Sequence, residues 1–84
     1  MIRYRVYTER KYNIERITSK CFDGFTLYET VGFWKGKKEK SICIEIIGKA
    51  KDYRQVKFLA NKIKHINNQE SVYVTQEKIH AELL

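Results

Sequence analysis

The chain has 84 residues and no proline, and its 17 Lys and Arg against 10 Asp and Glu give a formal charge of +7. That length suits one domain and leaves no room for two; a core this small buries only about 60 to 70 per cent of the unfolded surface, which makes self-association attractive. No stretch approaches the ~18 apolar residues that span a bilayer, and Met1-Ile2-Arg3-Tyr4-Arg5 has no apolar signal core, so no membrane partner and a cytoplasmic location are expected. In a reducing compartment Cys21 and Cys43 are expected as free packing thiols. The basic excess favours anionic partners such as nucleotides, nucleic acid or an acidic protein surface. A Lys- and Ile-rich composition drawn from an AT-rich genome has the same balance, so charge alone does not choose among them.

In chain order, Ile2, Tyr4 and Val6 alternate with Arg3, Arg5 and Tyr7, the period of a strand with one buried face. A polar stretch at residues 8–12 leads to Asn13, a helix cap by residue type, followed by Ile14, Ile17, Cys21 and Phe22 at helical spacing. Asp23-Gly24 is expected to stop that helix, with Gly24 free to take a positive φ. Residues 25–34 are mostly β-branched or aromatic, and Lys35-Gly36-Lys37-Lys38 reads as a hairpin connection into a strand at 41–47. In that strand Ile42, Ile44 and Ile46 point one way, and Cys43, Glu45 and Ile47 the other. Asp52, with Gln55 three residues on, resembles a capping box ahead of a helix whose apolar stripe is Val56, Leu59, Ala60, Ile63 and Ile66. Asn67-Asn68 ends it, Val72-Tyr73-Val74-Thr75 reads as a fourth strand, and 76–84 is left as a tail.

The resulting order, β-α-β-β-α-β, predicts an α+β domain over residues 1–84 of ferredoxin-like form, a four-stranded antiparallel sheet with both helices on one face. The uncovered face is expected to carry Arg3, Arg5, Tyr7, Cys43, Glu45, Ile47, Tyr73 and Thr75, together with Thr26, Tyr28 and Thr30.

Three basic groups are candidate anion sites. Lys35, Lys37, Lys38 and Lys40 cluster beside Trp34, where cations hold phosphates and an indole stacks on a base; hairpin-tip lysines also simply guard an edge. Arg3 and Arg5, with Arg10 and Lys11, form a second group suited to bidentate contacts, although Arg5 is equally placed to pair with Glu45 across the central strands. Lys49 and Lys51 precede a helix N-terminus, an end that Asp52 already occupies. His65 and His80 have no ligand-spaced neighbours, and no nucleophile elbow, phosphate loop or flanked carboxylate pair is present, so no metal, no cofactor and no catalytic residue are expected.

The stretch Gly24-Phe25-Thr26-Leu27, then Gly32-Phe33-Trp34-Lys35-Gly36-Lys37 and Glu39, resembles the hairpin region of two related families. One is the nitrogen-regulatory PII-like proteins, with a Gly-x-Thr-Val strand; the other is the CutA-like proteins, with a Trp-x-Gly-Lys-x-Glu turn. A group of small bacterial and viral domains is similar over Asp23-Gly24-Phe25-Thr26, Gly32-x-Trp34, Glu39-x-Ser41 and Gln69-Glu70-Ser71-Val72. The resemblance implies a trimer with open sheet faces turned inward, which would place Tyr28, Cys43, Glu45, Ile47 and Tyr73 at an oligomer interface. It also implies nucleotide or other small-anion binding in clefts between subunits. The chain departs from the PII pattern in having Gly48-Lys49-Ala50-Lys51 rather than a glycine-rich phosphate loop, and a tight turn rather than a long loop after strand two. The expected function is thus a non-enzymatic homo-oligomer that senses or sequesters a small anionic ligand. The alternative is a module for RNA or single-stranded nucleic acid; a protein partner anchored by Trp34 is a third reading.

Overall fold

The computed structural model describes every residue, Met1–Leu84. Strands β1 (Ile2–Glu9), β2 (Thr26–Trp34), β3 (Lys37–Gly48) and β4 (Tyr73–Lys78) and helices α1 (Ile14–Cys21) and α2 (Tyr53–Ile66) follow in the order β1-α1-β2-β3-α2-β4. The sheet runs β2-β3-β1-β4 with every neighbouring pair antiparallel. This is the ferredoxin-like α+β arrangement expected from the sequence.

Strand alternation sorts the side chains. Tyr4 and Val6 of β1 and Ile42, Ile44 and Ile46 of β3 meet Ile14 and Ile17 of α1 and Val56, Leu59, Ala60 and Ile63 of α2 in one buried cluster. Each fully buried aliphatic side chain there contributes roughly 1.5 to 3 kcal/mol relative to exposure. Tyr4 buries its hydroxyl as well, and satisfies it by donating to the Lys49 carbonyl at 2.6 Å while its ring lies parallel to Tyr53. Burial pushes the Tyr4 hydroxyl above the ordinary tyrosine pKa.

The structure departs from the sequence reading at element ends. The hairpin turn is only Lys35-Gly36, both with positive φ (51° and 78°), and Lys37 already pairs with Trp34. β3 therefore starts four residues earlier than periodicity indicated, because the type I′ turn continues the ladder through the lysines. α1 ends at Cys21 with Phe22 already extended, and Gly24 is not among the positive-φ glycines, so the stop is not a glycine cap. Asn13 makes no capping bond; its amide instead donates to Asn67 Oδ1 at 2.8 Å and ties the two helices. The Asp52–Gln55 capping box does not form. Asp52 ends a 3-10 turn (Ala50–Asp52) and accepts the Lys49 N–H at 2.8 Å, while Gln55 donates to the Cys21 carbonyl. Ile66, counted in the apolar stripe, is half exposed. β4 begins at Tyr73 and continues through Gln76, Glu77 and Lys78, residues that lack strand propensity but pair with β1.

The end of α2 follows the expected chemistry. Asn68 takes a left-handed φ of 53°, its N–H reaches the His65 carbonyl, and the Gln69 N–H reaches the Lys64 carbonyl, a Schellman closure. Gln69 then grips β1: its Oε1 accepts from the Thr8 hydroxyl and the Glu9 N–H, at 3.0 and 3.3 Å.

Candidate ligand-binding site

The open sheet face is organised around Glu45. The register places Arg5 opposite it on β1 and Thr26 opposite it on β2. Arg5 Nε donates to Glu45 Oε1 at 3.0 Å, the Tyr28 hydroxyl donates to Oε2 at 3.1 Å, and Arg3 Nε lies 3.9 Å from Oε1. Arg3 turns its Nη2 to Glu77 of β4. Only 13% of the Glu45 side chain is exposed, so a carboxylate that the helices never touch is screened by two guanidinium groups and a phenol. The bond to Glu45 raises the Tyr28 hydroxyl above its ordinary pKa and strengthens the protonation of Arg5. One row further on, Tyr28, Cys43, Tyr7 and Tyr73 stand side by side across all four strands. Cys43 is sealed in this row, and burial raises its thiol pKa, which makes it a packing group rather than a nucleophile. Tyr28, Ile47 and Tyr73 remain 44%, 43% and 75% exposed.

The β2–β3 hairpin runs past the ends of the helices as an arm. Val31 and Phe33, on its helix side, have no helix above them, and Phe33 is 71% exposed. Trp34 and Lys37 share the open side; Lys38 and Lys40 fall on the other. Lys35 sits 5.8 Å above the Trp34 ring and 3.6 Å from Glu70. Lys49 and Lys51 are at the far end of β3, separated from the turn by twelve strand residues, roughly 35 to 40 Å. The two predicted lysine groups therefore do not meet within one chain.

At the far end the fold closes on itself. A Cβ on Gly48 would stand 2.6 Å from Asp52 Oδ2, so the missing side chain makes room for the carboxylate that takes the Lys49 N–H. An internal anion thus occupies part of this turn.

A cleft of about 350 Å³ opens where the arm, the end of β1 and the α2–β4 loop converge. Its walls include Glu9, Glu39 and Glu70 and the rings of Tyr7, Phe33, Trp34 and Tyr73, with no lysine or arginine. Of these, the sequence makes Trp34 a candidate ligand residue and Tyr73 an interface residue, and it places Tyr7 on the open face. Phe33, Glu39 and Glu70 enter only through the family resemblance, and Glu9 is not singled out. The carboxylates come from three separate segments, and only the register of the arm against β1 and the Gln69–Thr8 clasp bring them together. Glu9 is paired with Lys11 at 3.1 Å; Glu39 has no ion-pair partner.

Arg10 is held by Glu15 and Glu29 at 2.8 and 3.2 Å, and the bond to Arg10 keeps the Glu15 carboxyl below the usual range. His65 stands on exposed helix surface, and His80 faces Glu82 at 3.5 Å. No three His, Cys, Asp or Glu side chains gather in a metal-binding group, and no helix is long and apolar enough to cross a membrane.

No family model matches the chain, and no curated protein matches it. Solved structures do. CutA1 from Pyrococcus horikoshii is similar over 99% of this chain and 87% of its own, with 11% identity and a TM-score of 0.66. CPII, a nitrogen regulatory PII-like protein from Thiomonas intermedia K12 bound to ADP, AMP and bicarbonate, is similar over 98% and 94%, with 14% identity and a TM-score of 0.64. A phage SAM lyase in its apo state is similar over 90% and 78%, with 19% identity and a TM-score of 0.61. The fold is the PII/CutA-like ferredoxin fold. Within that fold the arm corresponds in order to the β2–β3 connection where the sequence resemblance is densest, and the Glu45 network lies on the face opposite the helices.

Proposed function

We propose that the chain forms a homo-oligomer, a trimer of the kind the PII resemblance implies, with open sheet faces turned inward and a small nucleotide-type ligand held between subunits. The observation that carries this reading is the Glu45 network: a charge-compensated patch flanked by exposed Tyr28, Ile47 and Tyr73, which no element of the chain covers. Paired charges and half-exposed rings suit burial against a second protein surface, where unpaired charges would be costly. They suit an RRM-type use of the sheet poorly. Such use needs several exposed stacking rings on the central strands; among Arg3, Arg5, Tyr7, Cys43 and Glu45 there, only Tyr7 is aromatic and it is partly buried, and a phosphate would meet Glu45.

Assembly is what lets the separated basic groups act together. The arm with Trp34, Lys35, Lys37, Lys38 and Lys40 meets the Lys49 and Lys51 end of a neighbour, and Arg3 and Arg5 lie at the rim between them. Phosphate groups are held by the lysines and a base stacks on Trp34. The protein senses or sequesters its ligand without turning it over.

A second reading rests on the cleft of Glu9, Glu39 and Glu70 among aromatic rings, which suits a nucleoside whose charged end is positive. SAM, the substrate class named for the phage lyase, is such a molecule, and the chain would then be an enzyme. Native mass spectrometry of the purified protein, followed by calorimetry with ADP, AMP and SAM and chromatography of each mixture, separates these readings. A closed oligomer that binds ADP or AMP, and loses it when Lys35, Lys37 and Lys38 are changed together to Glu, supports the first. Consumption of SAM that is lost in Glu39→Gln supports the second. A bare monomer that binds none of the three overturns both.

A further inference from the structure

Of the 17 Lys and Arg of this protein, Arg3, Arg5, Arg10, Lys11 and Lys35 are engaged with carboxylates and the other twelve form no ion pair; half of those twelve are concentrated in one short segment. Over residues 49–64, Lys49, Lys51, Arg54, Lys57, Lys62 and Lys64 face a single acid, Asp52, whose carboxylate is taken by a backbone N–H. None of these six forms an ion pair, and together with Asp52 they contribute five of the chain's seven net positive charges.

Helical geometry arranges them. Val56, Leu59, Ala60 and Ile63 turn α2 onto the core. On the opposite side Arg54, Phe58 and Lys62 stand at i, i+4 and i+8, one row about 12 Å long. Lys57 and Lys64 stand seven residues apart on the flank, beside a groove of about 270 Å³ between α2 and β4 that Tyr53, Asn61 and Ser71 also line. Phe58, in the middle of the outer row, is 58% exposed. It is not part of the buried core cluster; the Lys62 ammonium lies 5.6 Å over its ring, and Lys57 lies 4.8 Å over Tyr53.

We infer that the outward face of α2 binds single-stranded nucleic acid, with phosphates on Arg54, Lys57, Lys62 and Lys64 and a base stacked on Phe58. Unpaired cations keep their full attraction for a phosphate chain, whereas paired ones must first be freed. An exposed ring set among cations adds sequence-tolerant stacking, the arrangement that single strands use. A lipid surface would demand a continuous apolar face, and here one phenylalanine stands among charges. The face is on the helix layer, so its use is compatible with an oligomer assembled through the sheet and does not depend on one.

The test is fluorescence anisotropy of a fluorescein-labelled deoxythymidine oligonucleotide of about 20 nucleotides, titrated with the full chain at several salt concentrations. Three to four phosphate contacts give a slope of log K against log salt of about −2 to −3. Changing Arg54, Lys57 and Lys62 together to Glu weakens binding by about a hundredfold or more and flattens that slope. Phe58→Ala weakens it roughly 5- to 150-fold and leaves the slope alone. Circular dichroism checks that each variant is folded; should the Glu set unfold, the same three positions changed to Gln decide by a smaller loss in the same direction. Absence of binding at low salt overturns the inference, as does wild-type affinity in the folded triple variant. Loss of binding on changing Lys37 and Lys38 to Glu, with the helix variants unaffected, overturns the location. Binding of a duplex as tight as the single strand, with Phe58→Ala neutral, overturns the stacking role.

Discussion

The centre of the open sheet face and the outward face of α2 both carry basic residues and treat them in opposite ways. On the sheet, Arg3 and Arg5 converge on Glu45 and Glu77, and Tyr28 completes the shell. On the helix, Arg54, Lys57, Lys62 and Lys64 have no acid to meet. Strand pairing sets a residue on one strand directly opposite a residue on the next, so a single carboxylate can serve two strands at once. A helix presents only its own i±3 and i±4 neighbours, and α2 offers no Asp or Glu among them. A surface whose charges are settled internally is ready to be covered by protein; a surface whose charges are left open is ready for a partner that brings its own.

Reversing the settled charge should have the largest effect. Glu45→Lys places a third cation between Arg3 and Arg5, with the Tyr28 hydroxyl losing its acceptor. We expect complete loss of the oligomer in native mass spectrometry and a melting temperature lower by roughly 10 °C. An unchanged assembly with only local loss of stability would mean that the sheet face is not the interface.

The joint between the two faces is the turn from β3 into α2. Gly48→Ala drives a Cβ to 2.6 Å from Asp52 Oδ2, and either the carboxylate or the strand end has to move. The cost is about 1 to 3 kcal/mol by thermal or urea unfolding. Combined with Asp52→Ala the same change should be much milder, because the atom it strikes is gone. Additive losses in that double-mutant cycle would show that the two residues do not act as a unit.

A smaller effect separates the faces by pH. Tyr28 titrates above the ordinary tyrosine value because its neutral hydroxyl is bonded to Glu45. Its contribution is therefore complete below pH ~10 and lost as pH rises through the raised value. Calorimetric melting temperatures should fall along that alkaline limb, and Tyr28→Phe should flatten it. Some slope persists in the variant, since buried Tyr4 has a raised pKa of its own.

The sequence was most informative where periodicity and burial coincide. Ile42, Ile44 and Ile46 alternate with Cys43, Glu45 and Ile47, and this one pattern set the face of β3 and, through pairing, of its neighbours. The helix ends were less legible. Asn13 and Asp52 have capping chemistry, but other contacts claimed their side chains first: Asn13 by a tertiary bond to Asn67 just past the end of α2, and Asp52 by the local backbone N–H of Lys49 in the preceding turn. The acidic cleft was not legible at all. Glu9, Glu39 and Glu70 lie up to sixty-one residues apart, and their meeting depends on a two-residue turn and on the Gln69 clasp, neither of which leaves a periodic signal. The basic residues nominated along the chain were grouped by sequence proximity, and proximity separated Lys35 from Lys49 correctly while hiding that Arg54 and Lys62 share a row.

The smallest expected effect is on the helix face, and its smallness is informative. Arg54, Lys57 and Lys62 make no ion pair, and the core contacts of α2 come from other positions. Charge reversal at any one of them should leave stability within about 0.5 kcal/mol by urea unfolding, with subunit count unchanged. Relief of mutual repulsion among neighbouring cations should make at least Arg54→Glu slightly stabilising, since it places an acid in the first turn of α2, where the helix dipole favours it. A marked loss of stability would mean that the contacts of Lys57 with the Tyr53 ring and of Lys62 with the Phe58 ring hold the fold together, and the division between settled and open charge would fail on the helix side. Small changes in stability alongside a large change in oligonucleotide affinity would confirm that the helix cations are held for a partner at no benefit to the fold.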